Sequence, residues 1–187
     1  MEASLRVGPR AETALILAMP WGHAPRIDAV RARHDPTAAA GLPAHITVLY
    51  PFLPPDEFAG VMPRLESVVR RFPPLEVHLT RLDRFRGDAT VVYLAPEEPE
   101  PIRRITRALT AAFPGYPLYG GRFGDAITPH LTLGYLSSPE EVHTVEAAAA
   151  ANLPLRFRAL AVTAMRCPTP ADPAWSVLAQ VPFRPGV

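Results

Sequence analysis

Apolar and polar positions change period several times along this 187-residue chain. From Glu12 to Met19 the apolar residues run together as in a buried strand, Pro25 to Arg33 reads as a short helix, and Ala44 to Tyr50 reads as a second strand. Asp56 to Arg71 then sets Phe58, Val61, Met62, Leu65, Val68 and Val69 on one helix face, and Pro73-Pro74 stops it. Two strands follow, Leu75 to Leu82 and Thr90 to Ala95. A helix from Pro101 to Phe113 ends at Pro114-Gly115, a glycine- and tyrosine-rich loop spans Gly115 to Asp125, and His130 to Leu136 is a strand. Ser138 is placed to cap a third long helix, to about Ala151, and Leu155 to Met165 and Trp175 to Phe183 are the last strands.

Shifted by about 80 to 85 residues, the chain matches itself. His45-Ile-Thr47-Val-Leu-Tyr50 aligns with His130-Leu-Thr132-Leu-Gly-Tyr135. Each is followed by proline and an acidic pair at a helix start, Pro55-Asp56-Glu57 and Pro139-Glu140-Glu141, and Pro74-Leu75 and Pro154-Leu155 then open equivalent strands. Each half carries strand, helix, histidine strand, helix and a further strand. The expected fold is therefore α+β: one bilobal domain over residues 1–187, a pseudo-twofold duplication, with two mainly antiparallel sheets flanked by helices around a central cleft.

Composition narrows the function. Charged residues make up 20% and apolar ones 48%, too hydrophobic for a disordered chain, and no apolar run is long enough for a membrane helix. A net charge of +1 lacks the basic field that grips long nucleic acid. All 19 basic residues are arginine, so Schiff-base chemistry and lysine-bearing phosphate loops are excluded. Arg6 and Arg10 ahead of Ala14 to Met19 mimic a signal peptide, but that stretch is short and bracketed by Glu12 and Pro20, and it reads better as a strand. With the lone cysteine, Cys167, the expectation is a reducing cytoplasm and a monomer.

The chemistry lies in the repeated motif. Strand residues two apart share a face, so His45 goes with Thr47 and His130 with Thr132, while Ile46, Val48, Leu131 and Leu133 point into the core. One such histidine alone is usually structural; two in corresponding positions of a repeat are not. Another His-x-Thr, His78 to Thr80, has Arg81 in its fourth place and no tyrosine after it, and reads as an exposed strand residue. No Asp, Glu, Cys or His stands at ligand spacing beside either motif, so neither metal nor cofactor is expected. Two histidines across a cleft suit in-line phosphodiester opening: one takes the proton of the attacking oxygen, the other protonates the leaving oxygen. Hydroxyls of Thr47 and Thr132 suit the phosphoryl oxygens.

These paired motifs resemble the two-histidine (2H) phosphoesterase superfamily, and within it the bacterial 2'-5' RNA ligase-like proteins or RNA 2',3'-cyclic phosphodiesterases. The resemblance covers nearly the whole chain. It implies a metal-independent cyclic phosphodiesterase acting on a nucleotide or RNA-end phosphodiester, with His45 and His130 as acid and base and Thr47 and Thr132 on the phosphate. It leaves open 2'-5' RNA end ligation, or a phosphate-ligand binding or biosynthetic protein using the same cleft.

Around the motifs, Tyr50, Phe52 and Tyr135 are candidates to stack a nucleobase or to finish the core. In the run Tyr119-Gly-Gly-Arg122-Phe-Gly-Asp125, Arg122 is a candidate for phosphate binding or for an ion pair with Asp125.

Overall fold

The structure is a computed structural model that describes residues 12–124 and 127–185. Arg6, Arg10 and Asp125 lie outside the described residues. The order is β1 (Thr13–Ala18), α1 (Pro25–His34), α2 (Pro36–Ala39), β2 (His45–Phe52), α3 (Phe58–Val69), β3 (Leu75–Phe85), β4 (Thr90–Pro96), α4 (Glu100–Ala112), β5 (Leu131–Leu136), α5 (Pro139–Ala150), β6 (Leu155–Ala159), β7 (Ala161–Arg166) and β8 (Ser176–Pro182). The strands form two four-stranded antiparallel sheets, ordered β2-β1-β7-β8 and β5-β4-β3-β6. The expected α+β class with two antiparallel sheets is what the chain adopts. Both histidine strands, β2 and β5, are edge strands of their sheets, and the two edges lie against each other.

The helices cross between the sheets. α1 follows β1 of the first sheet yet packs on β5 of the second, and α4 follows β4 of the second sheet yet packs on β2 of the first. α3 lies beside α4, and α5 beside α1. One continuous apolar core results, in which Leu15, Leu17, Ile46 and Val48 from one sheet join Val92, Leu94, Leu131 and Leu133 from the other. A smaller cluster of Ala14, Ile16, Leu42, Met165, Cys167 and Trp175 covers the opposite face of the first sheet.

Local chemistry accounts for most boundaries. Ser138 Oγ accepts from the Glu141 N–H at 3.2 Å while the Glu141 carboxylate accepts from the Ser138 N–H at 3.2 Å, a reciprocal cap that stabilises α5 by about 1 kcal/mol. Pro55 to Glu57 form a single 3-10 turn, so α3 starts at Phe58, two residues later than the hydrophobic spacing suggests. The short α2 has no period of its own and is held by the Asp35 side chain capping its first turn. The run from Leu155 to Met165 is two strands: β6 pairs with β3 in the second sheet, and β7 pairs with β1 and β8 in the first. Leu160, where the chain changes sheets, is 60% exposed. An unbroken apolar run hides this: β6 buries Leu155, Phe157 and Ala159 on one face, while β7 is buried on both.

Gly134 is fixed by close approach. A Cβ added there would lie 2.5 Å from the Cβ of His34 and 3.0 Å from its carbonyl oxygen, so the end of α1 rests directly on the β5 backbone.

Candidate active site

Each histidine strand carries one extra residue at the same place. On β2, Thr47 pairs with Ile16 and Leu49 with Leu15, leaving Val48 as a bulge. On β5, Thr132 pairs with Tyr93 and Gly134 with Val92, leaving Leu133 as a bulge. A bulge resets the alternation of side chains. It keeps Val48 and Leu133 in the core and returns the tyrosines that follow, Tyr50 and Tyr135, to the faces of the sheets that carry the histidines and threonines. Simple alternation would have put both tyrosines on the core side.

The two imidazoles are held alike. His45 Nδ1 lies 2.8 Å from the Pro43 carbonyl oxygen, and His130 Nδ1 lies 2.7 Å from the Thr128 carbonyl oxygen. A carbonyl only accepts, so Nδ1 carries the proton in both rings and Nε2 is the free nitrogen. Among the described residues, neither Nε2 has a hydrogen-bond partner. Burial, reinforced by the positive charge of Arg31, holds His45 down at about 4, against 6.5 for an ordinary imidazole, and a charge on His130 would press it the same way. Burial also lowers His130. The rings are thus within electrostatic reach of each other, and both are neutral near pH 7.

His130 stands in an aromatic setting. Phe85 lies edge-on to it at 5.0 Å between ring centres, Tyr93 lies at 5.3 Å, and Phe85 and Tyr93 stack at 4.3 Å. The β3–β4 register sets Asp83 opposite Tyr93, close enough to act on its phenol. The loop before β5 reaches the other motif: Tyr119, in the left-handed region at φ 52°, brings its phenol next to Thr47. Burial pushes the Tyr119 and Tyr135 phenols up to about 12, so they stay protonated donors.

The other candidates separate by burial. Phe52 is 2% exposed and packs edge-on to Phe58, Phe113 and Tyr116, so its ring completes the core and offers no face to a base. A second bulge on β2, between Leu49 and Phe52, cancels the first and leaves Phe52 on the core side with Ile46 and Val48, which corrects the reading of Phe52 as a substrate-binding residue. Tyr50 shares the His45 face but lies over the small apolar cluster with its phenol near Glu12 and Cys167. Tyr135 lies within reach of Asp35, Tyr119 and Arg31. Arg122 is exposed, with no ion-pair partner among the described residues. His78 is 38% exposed and sits 3.7 Å from Glu97, as its exposed-strand reading expects. No group of three or more His, Cys, Asp or Glu among the described residues is arranged to hold a metal ion.

Phe85, Tyr93, Tyr119, Arg31 and Asp35 escaped the sequence reading. The alternation Val91, Tyr93 against Val92, Leu94 carries the signal for Tyr93, and the four-residue spacing marks Arg31 and Asp35 as a helix pair. Nothing in the pattern shows that this pair is buried.

Known proteins share this fold. The family model described as the 2'-5' RNA ligase superfamily matches residues 19–167, and the chain belongs to that family. Among solved structures, TT0787 of Thermus thermophilus is similar at a TM-score of 0.64 and 17% identity, covering 92% of this chain and 98% of its own. LigT of E. coli, solved with NADP+, is similar at a TM-score of 0.58 and 16% identity, covering 94% of this chain and 99% of its own. The same protein solved with 3'-AMP gives 0.57 and 15%, covering 92% and 97%. At these identities the likeness shows a shared fold. No curated protein matches the chain by sequence.

Proposed function

We propose that the protein is a metal-independent phosphodiesterase that opens a 2',3'-cyclic phosphate, or a related nucleotide or RNA-end phosphodiester, by two-histidine acid and base catalysis. The observation that carries this reading is the matched construction of the two motifs: each imidazole bonded through Nδ1 to its own strand, with Nε2 free. A neutral Nε2 takes a proton from water as the water oxygen bonds to phosphorus. The Nε2–H of the other, protonated ring passes its proton to the leaving ribose oxygen as the P–O bond breaks, giving a phosphomonoester. Thr47 and Thr132 donate to the phosphoryl oxygens as these gain charge. The anionic phosphate favours the imidazolium that burial disfavours.

Membership in the 2'-5' RNA ligase superfamily supports a phosphodiesterase or ligase of this kind, and the nucleotides bound by E. coli LigT, ATP and 3'-AMP among them, support a nucleotide-class substrate. Ligation through a 2'-5' linkage is the same step with an RNA 5'-hydroxyl in place of water: one histidine takes its proton as it bonds to phosphorus, and the other protonates the leaving 3'-oxygen. Phe85 and Tyr135 are the aromatic groups placed to meet a base, and Arg122 the exposed cation nearest the Tyr119 turn. The repeated element order supports one domain built by duplication.

Turnover of a panel of cyclic and linear phosphodiesters, followed by phosphorus NMR in EDTA, tests the proposal. Conversion of 2',3'-cyclic nucleotides to a monoester supports it. Binding without conversion across the panel contradicts it in favour of a phosphate-binding role.

A further inference from the structure

Arg31 and Asp35 form the most deeply buried ion pair among the described residues, with side chains 2% and 1% exposed. Burying two charges is costly unless their hydrogen-bonding capacity is used. Here it is used across two sheets. Arg31 Nη2 donates to Asp35 Oδ2 at 2.8 Å, Nη1 donates to the Leu42 carbonyl at 3.2 Å, and Nε donates to the Thr132 carbonyl at 3.1 Å. The other Asp35 oxygen accepts from the Thr37 N–H at 2.9 Å and from Thr37 Oγ1 at 2.7 Å. Leu42 leads into His45, and Thr132 belongs to the second motif, so one guanidinium ties together the chain segments that carry both histidines. An apolar pair would fill the space but could not hold two carbonyls, and a lysine ammonium lacks the planar fork that meets three acceptors.

The tie is unequal in the two halves. In α4, which packs on β2 as α1 packs on β5, Ile102 and Thr106 repeat the buried spacing of Ile27 and Arg31, and Thr106 Oγ1 is buried with no hydrogen-bond partner among the described residues. The cation of that half is Arg103, whose Nε donates at 2.8 Å to the Ile127 carbonyl, three residues before His130 as Leu42 is three before His45, but its side chain is 34% exposed and it bridges no residue of the first motif. The groups around His45 are Arg31 and Asp35 from the end of α1, His130 from the neighbouring edge, and the phenols of Tyr119 and Tyr135, which stay neutral. Arg31 is a source of fixed positive charge for His45, whereas the partly exposed Arg103 does not act on His130, whose shift comes from burial.

Resting on the two-histidine reading above, we propose that Arg31, held by Asp35, is a positioning residue that sets the span between the two motif strands and, by its charge, biases His45 toward the base and His130 toward the acid in the hydrolytic direction. Near-identical motifs are thereby given different roles by a residue outside both.

The test combines histidine-selective NMR titration of the free protein with kinetics on a 2',3'-cyclic nucleotide, for the wild type, Arg31→Lys and the double variant Arg31→Met/Asp35→Asn. In the wild type His45 titrates below His130. In the double variant the His45 midpoint rises toward that of an ordinary imidazole. Arg31→Lys keeps the charge and the order of titration, but kcat falls roughly tenfold to a hundredfold with a much smaller change in KM, the scale expected for a misplaced catalytic group. An unmoved His45 midpoint in the double variant, or wild-type kcat in Arg31→Lys, overturns the inference. If the double variant does not fold, kcat of Arg31→Lys decides. A wild type that turns over no phosphodiester sinks the functional reading, while the His45 titration still decides this one.

Discussion

His45 and His130 are anchored by the same bond, each from Nδ1 to the carbonyl oxygen two residues earlier in its own chain segment, Pro43 and Thr128. The anchor fixes the tautomer and the direction of Nε2 without any other side chain. Neither ring contributes to the apolar core. Replacing either with alanine is expected to lower kcat by at least about two orders of magnitude, the scale of lost acid or base catalysis, with little change in melting temperature. Rates and thermal denaturation of His45→Ala and His130→Ala check this. A variant that melts early and keeps its turnover assigns its histidine to folding.

Burial of neutral imidazoles makes stability depend on pH. His45 titrates at about 4 in the folded chain and near 6.5 when unfolded, so between those values the unfolded state binds more protons. Stability is therefore full above about 6.5 and declines as pH falls toward 4. Denaturant titrations at stepped pH should show this slope in the wild type and a shallower one in His45→Ala. Equal slopes contradict the burial of an uncharged ring.

Phe52 and Tyr135 are expected to fail in opposite ways. Phe52→Ala opens a cavity among Phe58, Phe113 and Tyr116 and should cost about 3–5 kcal/mol of stability, with KM unchanged in the fraction that stays folded. Tyr135→Phe keeps the ring and removes a buried hydroxyl on the histidine face, so its effect should fall on kcat or KM. Denaturation and steady-state kinetics separate the two. A rise in KM for Phe52→Ala at full stability would return Phe52 to the substrate.

Gly134→Ala tests the seat of α1. The new methyl would meet His34 at 2.5 Å, too close for any Cβ, so α1 must shift and carry Arg31 with it. The expected cost is about 1–3 kcal/mol, the range for overpacking, together with reduced kcat. Full stability and activity would show that α1 moves freely on β5.

The repeat made the element order and both histidine motifs legible, because a period that recurs in two places is insensitive to local ambiguity. Residues 155–165 show what stays hidden: the inward positions pass from Leu155, Phe157 and Ala159 to Val162 and Ala164 across Leu160, a phase change that a continuous apolar run conceals. Phe52 lies on the core side that alternation from Ile46 and Val48 assigns it, because the second bulge on β2 undoes the first, so its place beside the motif is a poorer guide than its phase. Tyr135 was read as a cleft group although strict alternation denies it, and the bulge at Leu133 supplies the reason. Arg31 was invisible for a different cause: an i,i+4 Arg–Asp pair is normally a solvated helix surface, and only the docking of α1 on the opposite sheet buries it.

The two-histidine mechanism is tested most directly by the pH dependence of kcat/KM in EDTA for the wild type, His45→Ala and His130→Ala. Because burial lowers both rings below the ordinary imidazole value in the free protein, the wild-type curve should be a bell centred on the acid side of about 6.5, with apparent constants that belong to the pair. The kcat curve should lie at higher pH, since bound phosphate favours the protonated ring. Each alanine variant should lose one limb of the bell, and EDTA should leave the wild-type curve unchanged. A rate that collapses on chelation and returns with added zinc or manganese, or a bell that survives either substitution, contradicts the account.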